Sequence, residues 1–256
     1  MYSEQRQYEI SAGTFASTLL GIRISDLTLI GAHPDSVKLL DPAGLSSPKS
    51  GAYGFVASPQ ANGYRVSGIS VAGAAEGFRL LASGSVANVQ ASSCHIGMTC
   101  AEANSIAIEN SESHGVSVGI LAFQIGVLSL QQLTVTSSSI GLGLQAVNDA
   151  QIYDVAIEKS GLAMTLQSGS TATASRLLVT PACGNGISLN DSSSLQLRRS
   201  QISAFSTSFI GAGASHLDAR RSVFDTATYT GFDLSGGTTT QVNYYVGGFF
   251  GLSGPP

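Results

Sequence analysis

Tryptophan is absent from the 256 residues, and charged side chains make up only 11% of them. So few charges exclude a disordered tail or a coiled coil, since both depend on charged residues. A net charge of −4 gives no basic surface of the kind nucleic acid requires, so no nucleic-acid partner is expected. No stretch reaches the ~18 consecutive apolar residues needed to span a membrane. The opening MYSEQRQYEI lacks a basic-then-apolar leader, so an exported protein would carry its signal outside this stretch.

Cysteine is also sparse, with only Cys94, Cys100 and Cys183. An odd number excludes complete pairing within one chain. Cys94 and Cys100 are close enough in sequence to close a small loop disulfide. The alternative is that all three thiols act as small buried hydrophobes. No His or Cys stands at zinc-finger spacing from them, so no metal site is expected.

What is abundant is small and polar. Glycine numbers 30, and Ser and Thr crowd nearly every segment. Such residues form poor helices but suit tight turns and strand surfaces. From about residue 20, alternating apolar strands recur at intervals of about 22 residues, as in SGISVAGAAEGFRLL, QQLTVTSSSIGLGLQ and YDVAIEKSGLAMTLQ. Ile, Leu, Val and Ala take alternate positions in each, which points one side chain inward and the next outward. A fixed period built of strands without helices marks a solenoid. No strict Leu-x-x-Leu-x-Leu frame is present, and a propeller blade would need about 40 residues. The period predicts one all-β domain, a right-handed parallel β-helix over 1–256. Roughly nine or ten such coils, stacked at about 4.8 Å, would give a rod about 45 Å long.

Three segments depart from the period. Residues 1–20 are expected to hold an N-terminal strand and cap region. Residues 41–64, with three prolines and several glycines, read as a loop inserted between coils. Residues 239–256 read as a C-terminal cap and tail. There Tyr244, Tyr245, Phe249 and Phe250 would cover strand edges otherwise open to aggregation.

The stretch YEISAGTF followed by ISDLTLIGAHPDSVKL resembles the opening of secreted bacterial pectate-lyase-like β-helix proteins. That resemblance implies an extracellular or cell-envelope location and a polysaccharide or envelope glycan as partner. It also implies that the family's first strand and capping helix precede Met1. A second resemblance is local. NVQASSCHIGMTCAEANSIAIENSESHGVSVG is similar to the polygalacturonase pattern of a coil, Gly-Asp-Asp-Cys, another coil and Gly-His-Gly. Glycoside hydrolysis needs paired carboxylates. Here Met98 and Thr99 stand where the family carries two acids, so His114 lacks the groups it would serve. The remaining catalytic candidates are Glu102, Glu109 and Glu112, which would have to cluster with His114. Pectate-lyase-type elimination would further need several acids holding Ca2+ and an arginine base. No Asp-rich ladder accompanies these glutamates, and no cofactor is expected outside that lyase alternative. TYTGFDLS resembles an alginate-epimerase motif only loosely, because the His is missing.

Asp154, Arg176, Arg199 and Arg221 follow one another at spacings of 22, 23 and 22, which places them in a line, each just before an inward strand pair. Arg198 and Arg220 sit beside that line. Two readings fit. The arginine stems could cover apolar surface, with Asp218 and Asp225 neutralising their heads. Or the five arginines form a binding strip for an anionic polymer, since guanidinium forks match carboxylate and sulfate. The sequence therefore points to a secreted or surface-attached β-helix scaffold or adhesin that binds a polysaccharide without catalysis. The alternatives are a polysaccharide lyase or glycoside hydrolase, and a phage tailspike-like glycan-binding protein.

Overall fold

The computed structural model describes residues 6–15, 20–22, 26–34, 37–40, 53–226, 232–234 and 239–242. The described chain contains strands and turns and no helix, and every strand pairing is parallel. Each coil contributes three strand segments to three faces. The first face includes Tyr53–Ala57, Glu76–Leu80 and Ile96–Ala101, and continues through Leu162–Gln167 to Thr207–Gly211. The second holds Tyr64–Ser67, Gly84–Ala87, Ser194–Arg198 and His216–Arg220. The third holds Ser70–Ala72, Gln90–Ser92, Gln201–Ala204 and Val223–Thr226. This is a parallel β-helix, as the period requires.

In-register stacking turns each inward position into a column. On the second face Val66, Val86, Ile108, Leu130, Ile152, Ala174, Leu197 and Ala219 follow one another coil by coil. On the first, Phe55, Phe78, Met98, Ile120, Leu142, Met164, Ile187 and Phe209 do the same, and the rings of Phe55 and Phe78 lie 5.8 Å apart. All of these side chains are buried. Burying a Leu, Ile or Phe stabilises by about 1.5–3 kcal/mol each, so these columns are the main source of stability. Column neighbours also adjust to one another. Gly84 stacks on Tyr64, where an added Cβ would come within 2.5 Å of the ring.

The expected loop over residues 41–64 is shorter than its composition suggests. Residues 41–52 lie outside the described part. Tyr53–Ala57 is a full strand paired on both sides, and Tyr64 is a buried core residue. Phe55, Ala57 and Tyr64 carry inward positions that the surrounding Gly and Pro obscure. Within residues 1–20, Arg6–Ile10 and Gly13–Phe15 pair in parallel with the next coil. The aromatic tail, with Tyr244, Tyr245, Phe249 and Phe250, lies outside the described residues.

The cysteines settle on the second of their two readings. All three are free and buried, and Cys94 and Cys100 form no disulfide. Cys100 is one rung of an aliphatic column between Leu80 and Ala122, and burial pushes its thiol up to about 12. Burial likewise raises the thiols of Cys94 and Cys183. Only a thiolate attacks a disulfide reagent. The native protein should therefore release almost no colour from Ellman's reagent at pH 8, and three thiols per chain after unfolding. One free thiol per unfolded chain would instead reveal the Cys94–Cys100 bridge.

Candidate functional site

Between the second and third faces the chain turns a corner, and one residue at each turn has a positive φ. In order these are Gly68, Asn88, Asn110, Gln132, Asp154, Arg176, Arg199 and Arg221, with φ between 46° and 70°. Their strand neighbours are in register, so the eight residues form one column along the solenoid. The arginine line is thus a line of corner residues, each leading into a strand of the third face. Two features hold these corners. The Arg176 N–H donates to the Arg198 carbonyl at 3.0 Å, and the Arg199 N–H donates to the Arg220 carbonyl at 3.1 Å, which carries the backbone ladder around the turn. The buried serines that follow, Ser200 and Ser222, donate their hydroxyls to the carbonyls of Arg198 and Arg220. The same hydroxyls accept the N–H groups of Leu177 and Ser200 from the preceding coil.

A parallel column runs one residue earlier: Tyr153, Ser175, Arg198 and Arg220. Together the two columns line an open groove of about 440 Å³. Ion pairing inside it is uneven. Both guanidinium arms of Arg176 engage the carboxylate of Asp154, and its head lies 4.0 Å from the centre of the Tyr153 ring. Asp218 sits between Arg198 and Arg220, 3.2 Å from each. Burial alone would raise the Asp218 carboxyl, but hydrogen bonds and charge from Arg198 and Arg220 outweigh it and hold it below the ordinary aspartate value. Among the described residues Arg199 and Arg221 are exposed and have no ion-pair partner. The expected role of Asp225 as a second neutraliser is not seen there, because Asp154 and Asp218 make the ion pairs instead. Five guanidinia against two carboxylates leave the groove cationic on a chain of net charge −4.

Sequence reasoning located the five arginines and Asp154 but missed Tyr153, Ser200 and Ser222. Their signal is present in the spacing: Tyr153, Ser175, Arg198 and Arg220 repeat at the same intervals as the corner line, and Arg-Arg-Ser occurs twice, 22 residues apart.

The carboxylate cluster proposed around His114 does not assemble. Glu102 occupies a different corner, with φ 54°, in line with Gln124 and Ala146. Glu109 pairs with Ala87 and Gln131 on the second face. Glu112 pairs with Gln90 and Thr134 on the third. The corner at Asn110 turns their side chains in different directions. His114 ends the same strand, exposed, with Nδ1 2.6 Å from the Thr136 hydroxyl of the next coil. Among the described residues no three His, Cys, Asp or Glu side chains come together as a metal site. Gly115 is a corner residue with φ 61°, but Ser93, Ser137 and Lys159 take the same conformation in its column. The corner requires a left-handed backbone; it does not require glycine.

The architecture and corner geometry define a right-handed β-helix. Residues 94–246 match the family model described as a right-handed beta helix region, and the chain belongs to that family. No curated protein matches the chain. Among solved structures it is similar to the catalytic domain of a GH87 alpha-1,3-glucanase in complex with nigerose. That similarity has a TM-score of 0.56 at 10% identity, covering 97% of this chain and 64% of the other. It is similar also to ORF18 of Geobacillus virus E2, with a TM-score of 0.54 at 9% identity, covering 95% of this chain and 54% of that one. The A-module of the Azotobacter vinelandii mannuronan C-5 epimerase AlgE4 gives 0.49 at 10% identity, covering 95% and 91%. The chain thus spans less than two thirds of the glucanase domain, and at these identities the likeness is one of fold.

The Asp218 contacts generate a test. A depressed carboxyl stabilises the fold above the unfolded aspartate value of about 3.9 and loses that contribution as pH falls through the lower folded value. Asp218→Asn should lower the melting temperature by a few degrees at pH 7 and low salt. Added salt should recover part of the loss, since it screens the exposed repulsion between Arg198 and Arg220. The variant should also lose less stability than the parent between pH 4 and pH 2. An unchanged pH profile would show that Asp218 does not bridge the two arginines.

Proposed function

We propose that this chain is an extracellular or cell-surface solenoid that binds an anionic polysaccharide along its arginine corner without transforming it. One observation carries the reading. Three successive arginines adopt the left-handed conformation, which disfavours long side chains and suits Gly, Asn and Asp. The same corner uses Gly68, Asn88, Asn110 and Asp154 in other coils. The fold therefore has cheaper residues for this position. Arginine there is unfavourable twice, because unit charges one coil apart also repel by about 1 kcal/mol even in water. Gln132, Gln124, Glu102 and Lys159 also carry long side chains at left-handed corners, so what marks a functional site here is the like charge repeated three times in register.

The chemistry of the strip fits a polyanion. Each guanidinium offers a planar fork that binds carboxylate or sulfate through two hydrogen bonds. Forks repeated at coil spacing of about 4.8 Å suit a ligand whose anionic groups also repeat. The GH87 glucanase domain holds nigerose on the same fold, which supports a saccharide partner here. The separation of Glu102, Glu109 and Glu112 over two corners gives no support to hydrolysis, which needs two carboxylates facing one bond.

Glycine substitution separates this reading from a structural one. Arg199→Gly with Arg221→Gly relieves both the backbone cost and the repulsion. Polygalacturonate and dextran sulfate binding, measured by isothermal titration calorimetry, should fall at least about tenfold, with the melting temperature held or raised. Parent binding should weaken steeply between low and physiological salt. If the arginine stems are structural, the same variant melts lower and polyanion binding is absent or unaltered.

A further inference from the structure

A second groove, of about 670 Å³, lies on the same corner three rungs toward the N-terminus. Its floor is made by Gly68, Asn88 and Asn110 with Gln90 and Glu112, and residues 30–34 wall one side. At the edge of that wall the Val37 N–H donates to the His33 carbonyl at 2.9 Å. Of the four catalytic candidates, Glu112 lines this groove. We propose that this groove is a subsite for an uncharged saccharide chain lying parallel to the solenoid axis.

The chemistry of the floor selects the ligand class. Asn88 and Asn110 are exposed corner residues in consecutive coils, and no hydrogen bond engages their carboxamides among the described residues. Each carboxamide offers two donors and an acceptor. Gln90 donates to one oxygen of Glu112 at 3.3 Å, which orients the carboxylate and leaves its other oxygen to accept. The ligand must therefore supply donors and acceptors together, as hydroxyl groups do. The coil spacing suits a saccharide better than an extended peptide. Its like-facing groups recur every ~6.6–6.8 Å, two residues of rise, against about 4.8 Å between the corner carboxamides. One pyranose ring advances a chain by close to that coil step. Charge disfavours an acidic sugar at this end, since Glu112 faces the groove and no arginine lines it. Vicinal hydroxyls donating to the carboxylate of Glu112 while accepting from Asn110 engage both kinds of group on the floor. This inference stands apart from the arginine strip and can fail without it.

The test uses saturation-transfer NMR on the full chain, with cellotetraose, maltotetraose and laminaritetraose as probes. At least one should bind at millimolar concentration or below. Asn88→Gly with Asn110→Gly keeps the left-handed corner available and should weaken that binding about tenfold, the loss expected for two hydrogen bonds. Its melting temperature should hold. Arg199→Gly with Arg221→Gly should leave the tetraose signal within about twofold of the parent, because no hydrogen bond to the probe is removed. Absence of binding by all three probes, or equal binding by the double-asparagine variant, overturns the subsite. So does loss of the signal in the arginine variant, which would move neutral sugar binding to the cationic groove.

Discussion

The structure depends on one constraint at its corners. Every coil must turn while each backbone N–H still finds a carbonyl in the neighbouring coil. At the corner between the second and third faces a single left-handed residue per coil meets that demand, because it redirects the chain without dropping a rung from the ladder. The Asn88 N–H reaches the Glu109 carbonyl at 3.0 Å, and the Arg199 N–H reaches the Arg220 carbonyl in the same manner, although the side chains have nothing in common. Corner identity is therefore separated from corner geometry. The inward columns on either side fix the register, and the corner side chain is left on the outer surface.

That separation explains how one corner can change character along the rod. It runs from Gly68 through two asparagines and Gln132 to Asp154 and then three arginines, with little change in backbone. The electrostatic problem appears only at the arginine end, and the groove resolves it in part. Asp154 closes the strip on one side by engaging Arg176, and Asp218 bridges the adjacent column. The corner position between those fixed pairs, Arg199, and its neighbour Arg221 are the members whose charge is not met. A purely structural array would be expected to neutralise all its members or to avoid the charge altogether. The partial neutralisation pairs Arg176, Arg198 and Arg220 with carboxylates and leaves Arg199 and Arg221 without an ion-pair partner among the described residues.

Much of the fold was legible because in-register stacking writes structure into sequence as a period. Once the interval of about 22 residues is seen, the inward columns and the line from Asp154 to Arg221 follow by counting. What counting does not give is the direction in which a corner sends each side chain. Glu109 and Glu112 look like a carboxylate pair in sequence, but Asn110 between them is a corner, and the two face different sheets. The same blindness affected residues 53–57. Their Gly-rich setting reads as loop, and only the burial of Phe55 and Ala57 in existing columns makes a strand of them. Cys100 shows the opposite case. Its place between Leu80 and Ala122 decides for a hydrophobic role that spacing alone left open.

The two grooves lie on one line parallel to the axis, because both are built on the same column. From Asn110 to Arg176 is three coil steps, about 14 Å, with Gln132 and Asp154 between. A linear polymer following that line would meet carboxamides first and guanidinia last. Asp154 sits at the boundary, with its charge taken up by Arg176, so it does not repel an anionic group approaching Arg199 as a free carboxylate would. Glu112 remains unneutralised at the other end and disfavours the same group there. The corner thus has a direction: charge on the ligand is favoured toward the C-terminal coils and disfavoured toward the N-terminal ones. A solenoid creates this polarity cheaply. From Asn88 onward each coil offers an outward site on this corner, and only the side chain placed on it has to differ; at Gly68 an added Cβ would come within 2.2 Å of the Gly31 carbonyl oxygen.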